Sequence, residues 1–485
     1  MQKWLDASKR QRRAEVAELL ARPDRAADPI EIVTAPHGWG VYASAGERFQ
    51  YAIFGRDSIE TAEDVLATHQ QLAHDIIISL CKLQGIETNE ISEEEPGKIH
   101  HEHRALRLDG FVIPEHSQVI LRELQHVWGG EDGETMTYYG SFDATPLFIR
   151  LVGSYVETYG DGILRETLQH KSGQVVTVEG SVFGSLKWLE RKITAHPLGL
   201  LAYKRLNPNG LPNQSWKDSY TSYLHADGSL PNFDGGIASI ELQGYAYDAL
   251  LAGTVLGLGN EDDRRHWDEL ARHLQQQTES SLWLDDVQYF AQGLDFDDNH
   301  AVRPIATITS NPAALLDSRL VRDLPTDRAE HYVKSVARMV FSPELLTSVG
   351  VRCRAVRHWD LLDYIDYHGP NTVWPKETFD IAKGLRRAGL DHLADNLEHR
   401  LAAGLRRAGD FSEFFYVSRD DTVWFDSAEA LAHFGAESPG RQIPVPEPAQ
   451  AWTIAAAIRL ARDHKGRAAD APPSEFEREI LANLD

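Results

Sequence analysis

The stretch Tyr138-Tyr139-Gly140-Ser141-Phe142-Asp143 leads directly into Ala144-Thr145-Pro146-Leu147-Phe148-Ile149-Arg150-Leu151-Val152-Gly153-Ser154-Tyr155-Val156. The second part is apolar nearly all round a helix, and such a helix is buried on every side. Asp143 stands where a capping residue belongs, and Pro146 suits a first turn. The same kind of helix is expected at Ile237 to Leu258 and at Ala449 to Ala461. Between these lie helices with one apolar stripe: Trp267, Leu270 and Leu274, then Leu390, Leu393, Leu397 and Leu401, with the stretch from Ala329 to Met339 similar. Buried and half-exposed helices alternate along the chain. That order predicts helical hairpins set in a ring, one helix of each lining the inside. The inner helices are expected to begin near Ser58, Asp143, Ser239, Asn311, Pro375 and Pro448. About six hairpins would close such a toroid. An irregular all-α domain is the plainer alternative, because no internal repeat is present in the sequence. Few segments read as strands; short β runs are expected at Gln174 to Val178 and Val423 to Phe425.

The chain has 485 residues, 42% hydrophobic and 25% charged, an ordinary globular composition. No stretch is long and apolar enough to span a bilayer. Met1 to Arg22 is charged and helix-like, without an apolar signal core, so a cytoplasmic protein is expected. Two cysteines make a disulfide framework unexpected, and Cys81 reads as a small buried hydrophobe. The formal net charge of −24 disfavours nucleic acid and anionic membrane as partners.

Polar and aromatic clusters stand just before the expected inner helices. In a helical toroid those starts share one mouth, so the clusters would converge on one pocket. Asn213-Gln214-Ser215-Trp216-Lys217-Asp218-Ser219 follows the turn-rich Asn207-Pro208-Asn209-Gly210-Leu211-Pro212 and is read as a loop. Trp, Lys and Asp together suit a sugar, which has hydroxyls at its edge and C–H groups on its faces. An Asp desolvated beside a tryptophan has a raised pKa, as a general acid needs. A capping Asp beside a half-buried Trp is the plainer reading. Arg56-Asp57 is either a capping ion pair or a clamp on two sugar hydroxyls. Glu413, inside the aromatic run Asp410 to Tyr416, is costly to bury unless paired or catalytic. Tyr139, Asp143, Gln214, Trp216, Lys217, Glu241, Gln243, Trp374, Lys376, Gln450 and Trp452 complete the substrate-binding candidates. Glu93 to Arg104 crowds imidazoles and carboxylates, but its spacing matches no helical zinc motif, and Lys98 and Arg104 oppose a cation. A rim loop binding hydroxyls is expected there, with no metal. No glycine-rich phosphate loop and no Gly-x-Ser-x-Gly elbow is present, and no cofactor is expected.

Phe54-Gly55-Arg56-Asp57-Ser58, Glu94 to Ile99, Tyr138 to Ser141 with Asp143 to Phe148, Asn213 to Ser219, Glu241 to Tyr245, Val373-Trp374-Pro375 and Ala449 to Trp452 occur in that order. The series resembles the bacterial amylo-α-1,6-glucosidases, glycogen-debranching-type glycoside hydrolases of the six-hairpin glycosidase superfamily. The resemblance runs from about Gly40 to Leu460. It implies an all-α fold, an (α/α)6 barrel with minor β-hairpin insertions, spanning 1–485 as a single domain with 1–40 as a helical extension packed on the barrel. It implies an inverting mechanism on an α-glucosidic bond, with Asp218 as general acid, Glu413 as general base, and Arg56 and Asp57 clamping the glucosyl unit. Glu241 is the other candidate base; at a helix start its carboxylate is expected to be held ionised. After Trp374-Pro375 the family usually continues His-Asp-Asn, where this chain has Lys376-Glu377-Thr378. Relatives often carry a β-rich module ahead of the barrel. With about forty residues there, this chain is expected to prefer a short or compact α-glucoside, its mouth walled by Glu93–Arg104 and Val417 to Gln442. Related expectations are a glucosyl- or mannosylglycerate hydrolase, a trehalase, or a non-catalytic carbohydrate-binding toroid. A terpene cyclase fits poorly, for want of an Asp-rich metal motif.

Overall fold

Each long apolar stretch is a helix in the computed structural model, which describes residues 1–108, 110–130, 133–435, 443–463 and 471–484. Residues 436–442 of the expected Val417 to Gln442 wall therefore lie outside the described residues. The inner elements are Gly55–Val65, Ala144–Tyr159, Ile240–Val255, the 3-10 helix Asn311–Leu316, Pro375–Arg387 and Ala451–Asp463. Each packs on the next, and Ala451–Asp463 returns to pack on Gly55–Val65. Outside them lie Gln70–Leu83, Val178–Ala195, Glu261–Leu282, Thr326–Val340 and Asp391–Ala408, each against its preceding inner partner. The Lys9–Ala21 helix packs against both Ala451–Asp463 and Asp391–Ala408. The stripes do what their spacing predicts: Trp267, Leu270 and Leu274 are buried, as are Leu393, Leu397 and Leu401. Among the described residues no helix is long and apolar enough to cross a membrane.

The fourth inner helix, expected from Asn311, is only a six-residue 3-10 turn. The chain turns again at Ser318, whose hydroxyl caps the short Arg319–Arg322 helix. Gly384 lets this turn come close: a Cβ there would lie 2.7 Å from the Leu316 side chain and 2.8 Å from the Asp317 nitrogen.

Three small antiparallel sheets hold the starts of three inner helices; of their strands only Val423–Trp424 was expected, and the other expected run is the strand Val175–Thr177. Ala52–Phe54 pairs with Glu102–Ala105, which pairs with Thr135–Tyr138. Ala238–Ser239 joins Gly293–Phe296 and Val302–Ile305. Thr372–Val373 joins Phe415–Val417, and this joins Val423–Trp424. All of these strands have two to four residues, too short for a period of two to show. The run Glu93 to Arg104 is not a rim loop. Glu93, Lys98, His100, Glu102 and Arg104 are all buried, and Glu93 accepts from Gln214 Nε2 (2.7 Å) and the Tyr138 hydroxyl (3.1 Å).

The centre of the ring is not purely apolar. On Gly55–Val65, Arg56, Glu60 and Asp64 follow at spacings of four and share one inward face. Lys376 pairs with Glu60 (2.8 Å), Asp64 (3.2 Å) and Asp380; Lys383 (2.7 Å) and Arg459 (3.3 Å) also bind Asp64. Burial alone would raise the Asp64 pKa, but these three cations outweigh it and hold the carboxyl well below the usual range. Asp64→Ala is expected to cost about 3–5 kcal/mol, because it leaves buried cations uncompensated. Urea denaturation checks this, and a loss under about 1 kcal/mol contradicts it.

Candidate active site

The Gly55–Val65 helix starts with no room for a side chain at Gly55, where a Cβ would lie 2.2 Å from the His100 carbonyl oxygen. That close approach sets Arg56 and Asp57 in the first turn. Arg56 is buried and donates from Nη1 to Asp143 (2.9 Å) and from Nη2 to Asp218 (3.1 Å). Asp143 stands just ahead of the Ala144–Tyr159 helix and also accepts from Ser141 Oγ (2.5 Å). Asp57 accepts from Gln450 Nε2 (3.2 Å), just ahead of Ala451–Asp463. Arg56 thus links three parts of the chain through carboxylates.

Glu413 stands two residues before the Phe415–Val417 strand and is 2% exposed. The Tyr367 hydroxyl donates to its Oε1, and the Glu447 backbone N–H donates to Oε2 at 3.1 Å. Burial pushes its pKa up to about 8; the Tyr367 and Glu447 bonds oppose this, while the charges of Glu447 and Asp57 add to it. Burial likewise pushes Asp57 up to about 7 against the pull of Arg56, with Asp218 adding repulsion. Asp218 is raised by burial and pulled back by Arg56. Its side chain keeps 23% of its surface exposed, so it is open to a ligand. Asp218 adds to the rise at Asp57, and Asp57 adds to the rise at Glu413.

An aromatic wall stands beside them. Trp216 and Trp374 meet edge to face at 5.6 Å, Trp374 and Trp452 at 6.0 Å. His368 stacks on Trp374 at 4.9 Å, and Tyr367 meets it edge-on at 5.1 Å. A cavity runs inward from this wall, lined by Arg56, Trp216, Trp374, Lys376 and Trp452 together with Glu60, Tyr245, Asn311, Glu377 and Asp380. Tyr245 and Glu377 belong to clusters expected at the mouth; the sequence reading missed Glu60, Asn311 and Asp380 as lining residues, and also Tyr367, His368 and Glu447. A signal was there for some: Glu60 follows Arg56 by four, and Asp380 follows Lys376 by four.

Other candidates prove to be engaged elsewhere. Tyr139 is fully buried and donates to the Leu83 carbonyl (2.6 Å), so it faces the Gln70–Leu83 helix end. Gln243 accepts from Leu201 N (2.9 Å) and donates to the Leu201 and Ser239 carbonyls (2.8 Å each), pinning backbone. Lys217 is buried behind Trp216, donating to Ser310 Oγ (2.5 Å) and the Cys353 carbonyl (3.0 Å) and pairing with Glu377 (3.3 Å). Gln214 donates to Glu93 and to the Leu211 carbonyl (3.2 Å). Glu241 takes Ser215 (2.8 Å), Tyr223 (2.7 Å) and Asn311 (2.9 Å) on one oxygen and has no exposed surface. The helix start was expected to keep it ionised. Burial wins instead, and its pKa is raised. Lys376 lines the cavity, but its ammonium is held by the carboxylates of the ring centre. Among the described residues no group of three or more His, Cys, Asp or Glu is arranged to hold a metal ion.

No protein-family model and no curated protein sequence matches the chain. Solved structures do. A chain described as a wild-type glycosidase is 13% identical, with a TM-score of 0.52 over 93% of this chain and 98% of that one. A GH63 mannosylglycerate hydrolase from Thermus thermophilus in complex with glucose is 12% identical, with a TM-score of 0.54 over 94% of this chain and 100% of that one. The same hydrolase with Tris and D-glycerate gives 13% identity, the same score and the same coverage. The likeness is one of fold: this chain has the helical fold of those glycosidases.

Proposed function

We propose that this chain is an inverting glycoside hydrolase acting on an α-glucosidic bond of a short or compact substrate, built as a single (α/α)6 domain over 1–485. The observation that carries the reading is the pair Asp57 and Asp218 at Arg56, with Glu413 near enough to Asp57 to feel its charge, beside a tryptophan wall on a fold that known glycosidases share. In this reading Asp218 protonates the leaving oxygen and Glu413 activates water from the opposite face, the two standing about 6.5–9.5 Å apart. Arg56 and Asp57 grip the terminal sugar, with Trp216, Trp374 and Trp452 against its C–H faces. The toroid reading rests on the closed order of inner helices, with Lys9–Ala21 of the 1–40 segment filling the sixth outer place. The test is glucose or mannose release from maltose, isomaltose, panose, trehalose, glucosyl- and mannosylglycerate and branched dextrins. Release from a small α-glycoside supports the reading; activity on glycogen limit dextrin alone contradicts the short-substrate part, and none at all contradicts the whole.

A second reading exchanges the two roles. Glu413, raised to about 8, is the better proton donor at neutral pH, and Arg56 favours the charged form of Asp218. A pH profile on α-glucosyl fluoride separates the two, because fluoride leaves with little help from an acid. With Glu413 as base, kcat/KM rises with pH and levels off above about 8, as its carboxyl loses its proton. A profile already level at pH 5 contradicts Glu413 as base and favours the exchange.

A further inference from the structure

The segment Ile443-Pro444-Val445-Pro446-Glu447-Pro448-Ala449-Gln450 passes beside the active site and leads into the last inner helix, Ala451–Asp463. Prolines at alternate positions fix φ and remove backbone donors, so this stretch is stiff without belonging to a sheet. Ala449 then takes a φ of 46°, a left-handed conformation that strains an alanine. Such strain persists only where the surroundings fix it. Here they do: the Tyr416 hydroxyl donates to the Pro444 carbonyl (2.5 Å), Ala449 N to Asp410 (3.2 Å) and Gln450 N to the Phe411 carbonyl (2.8 Å).

Two active-site carboxyls hang on this strap. Glu413 N donates to the Glu447 carbonyl (3.0 Å), and Glu447 N donates back to the Glu413 carboxylate (3.1 Å). Three residues on, Gln450 donates to Asp57 (3.2 Å). The strap is also tied to the chain ahead of the first inner helix: Ala45 N donates to the Pro448 carbonyl (3.2 Å) and Ala451 N to the Ala43 carbonyl (2.8 Å). The Glu447 side chain, 8% exposed, closes this joint. Its Oε2 accepts from Ser44 Oγ (2.7 Å), which itself accepts from Gly46 N (3.1 Å). Gly46 leaves the carboxylate its space, since a Cβ there would lie 2.0 Å from that oxygen. A glutamine could accept the Ser44 bond without the cost of burying a charge. What the carboxylate adds is negative charge behind Glu413.

We propose that Glu447 is a positioning residue for Glu413, and that the strap 443–450, anchored through Ser44, fixes Glu413 and Asp57 in one register. The proposal rests on the reading of Glu413 as a catalytic carboxyl. Other charged or titratable groups that face the Glu413–Glu447 pair are Tyr367, Tyr416, Asp57, Arg48 and Arg104, with Asp410 and its partner Arg12 further along the strap. The Ser44 bond and Arg48 favour the charged form of Glu447, and that charge helps lift Glu413 to about 8.

Two measurements on the full-length protein test this, and neither needs turnover. In protein labelled with carbon-13 at the glutamate carboxyls, the Glu413 resonance is the one lost in Glu413→Gln. Glu447→Gln keeps an acceptor for Ser44 and the backbone bonds but removes the charge. It should lower the Glu413 midpoint by about half a pH unit or more. The acid limb on α-glucosyl fluoride should follow, whereas a merely structural joint would lower activity alike at every pH. In Ser44→Ala, hydrogen exchange of the Glu447, Ala449 and Gln450 amides should speed up about tenfold or more, as the strap loses its anchor. An unmoved midpoint or unchanged exchange overturns the proposal; where Glu447→Gln does not fold, the exchange decides. Both results as expected, with no glycoside hydrolysis by the wild-type chain, sink the catalytic reading alone. Hydrolysis with an unmoved midpoint sinks the strap alone.

Discussion

Asp218→Asn is expected to lower kcat/KM on an unactivated α-glycoside by about 10²–10⁴-fold, and far less on α-glucosyl fluoride. An asparagine is close in shape but has no proton to give, so only the step that needs one suffers. Glu413→Gln is expected to lose activity by a similar factor on both substrates, because water activation is needed whatever leaves. Azide should restore turnover of Glu413→Ala on the fluoride, as a small anion in the vacated space attacks in place of water. The opposite pattern, rescue of the Asp218 variant and fluoride tolerance of the Glu413 variant, exchanges the roles. Rescue of Glu241→Ala alone moves the base to Glu241, against its enclosure by Ser215, Tyr223 and Asn311.

Asp57→Ala is expected to lower kcat/KM by about a hundredfold or more, through loss of hydrogen bonds to the sugar that tighten in the transition state. The melting temperature should hold, since the only hydrogen bond its side chain makes to another described residue is the one from Gln450. A second effect follows from charge. Asp57 helps push the Glu413 pKa up, so its removal should move the acid limb of the fluoride profile to lower pH. A variant of normal activity and melting temperature returns Arg56-Asp57 to a helix-capping pair.

The helical fold and the order of its buried helices were legible because the signal is long-range and repeated: apolar stretches such as Ala144 to Val156 can only be buried, and their starts carry the polar clusters. Two short strands, Val175–Thr177 and Val423–Trp424, were legible; most others were not, because pairs such as Thr372–Val373 show no period. Arg56, Asp57 and Asp218 were legible as unusual charges beside aromatics, and the structure gathers them. Tyr139, Lys217 and Gln243 sit in equally polar clusters, yet their partners are backbone and neighbouring helices, which only the folded chain reveals. Tyr367 escaped notice because its role depends on Glu413, forty-six residues away in sequence. The low pKa expected of Glu241 is overturned for an electrostatic reason: desolvation outweighs the helix start.

The central claim is hydrolysis with inversion between Asp218 and Glu413, and the configuration of the first sugar released tests it most directly. Proton NMR during the first minutes of hydrolysis of an α-linked substrate, before the anomers equilibrate, should show the β-anomer alone. Initial release of the α-anomer contradicts the account, because it requires a covalent glycosyl intermediate or attack from the face of the leaving group.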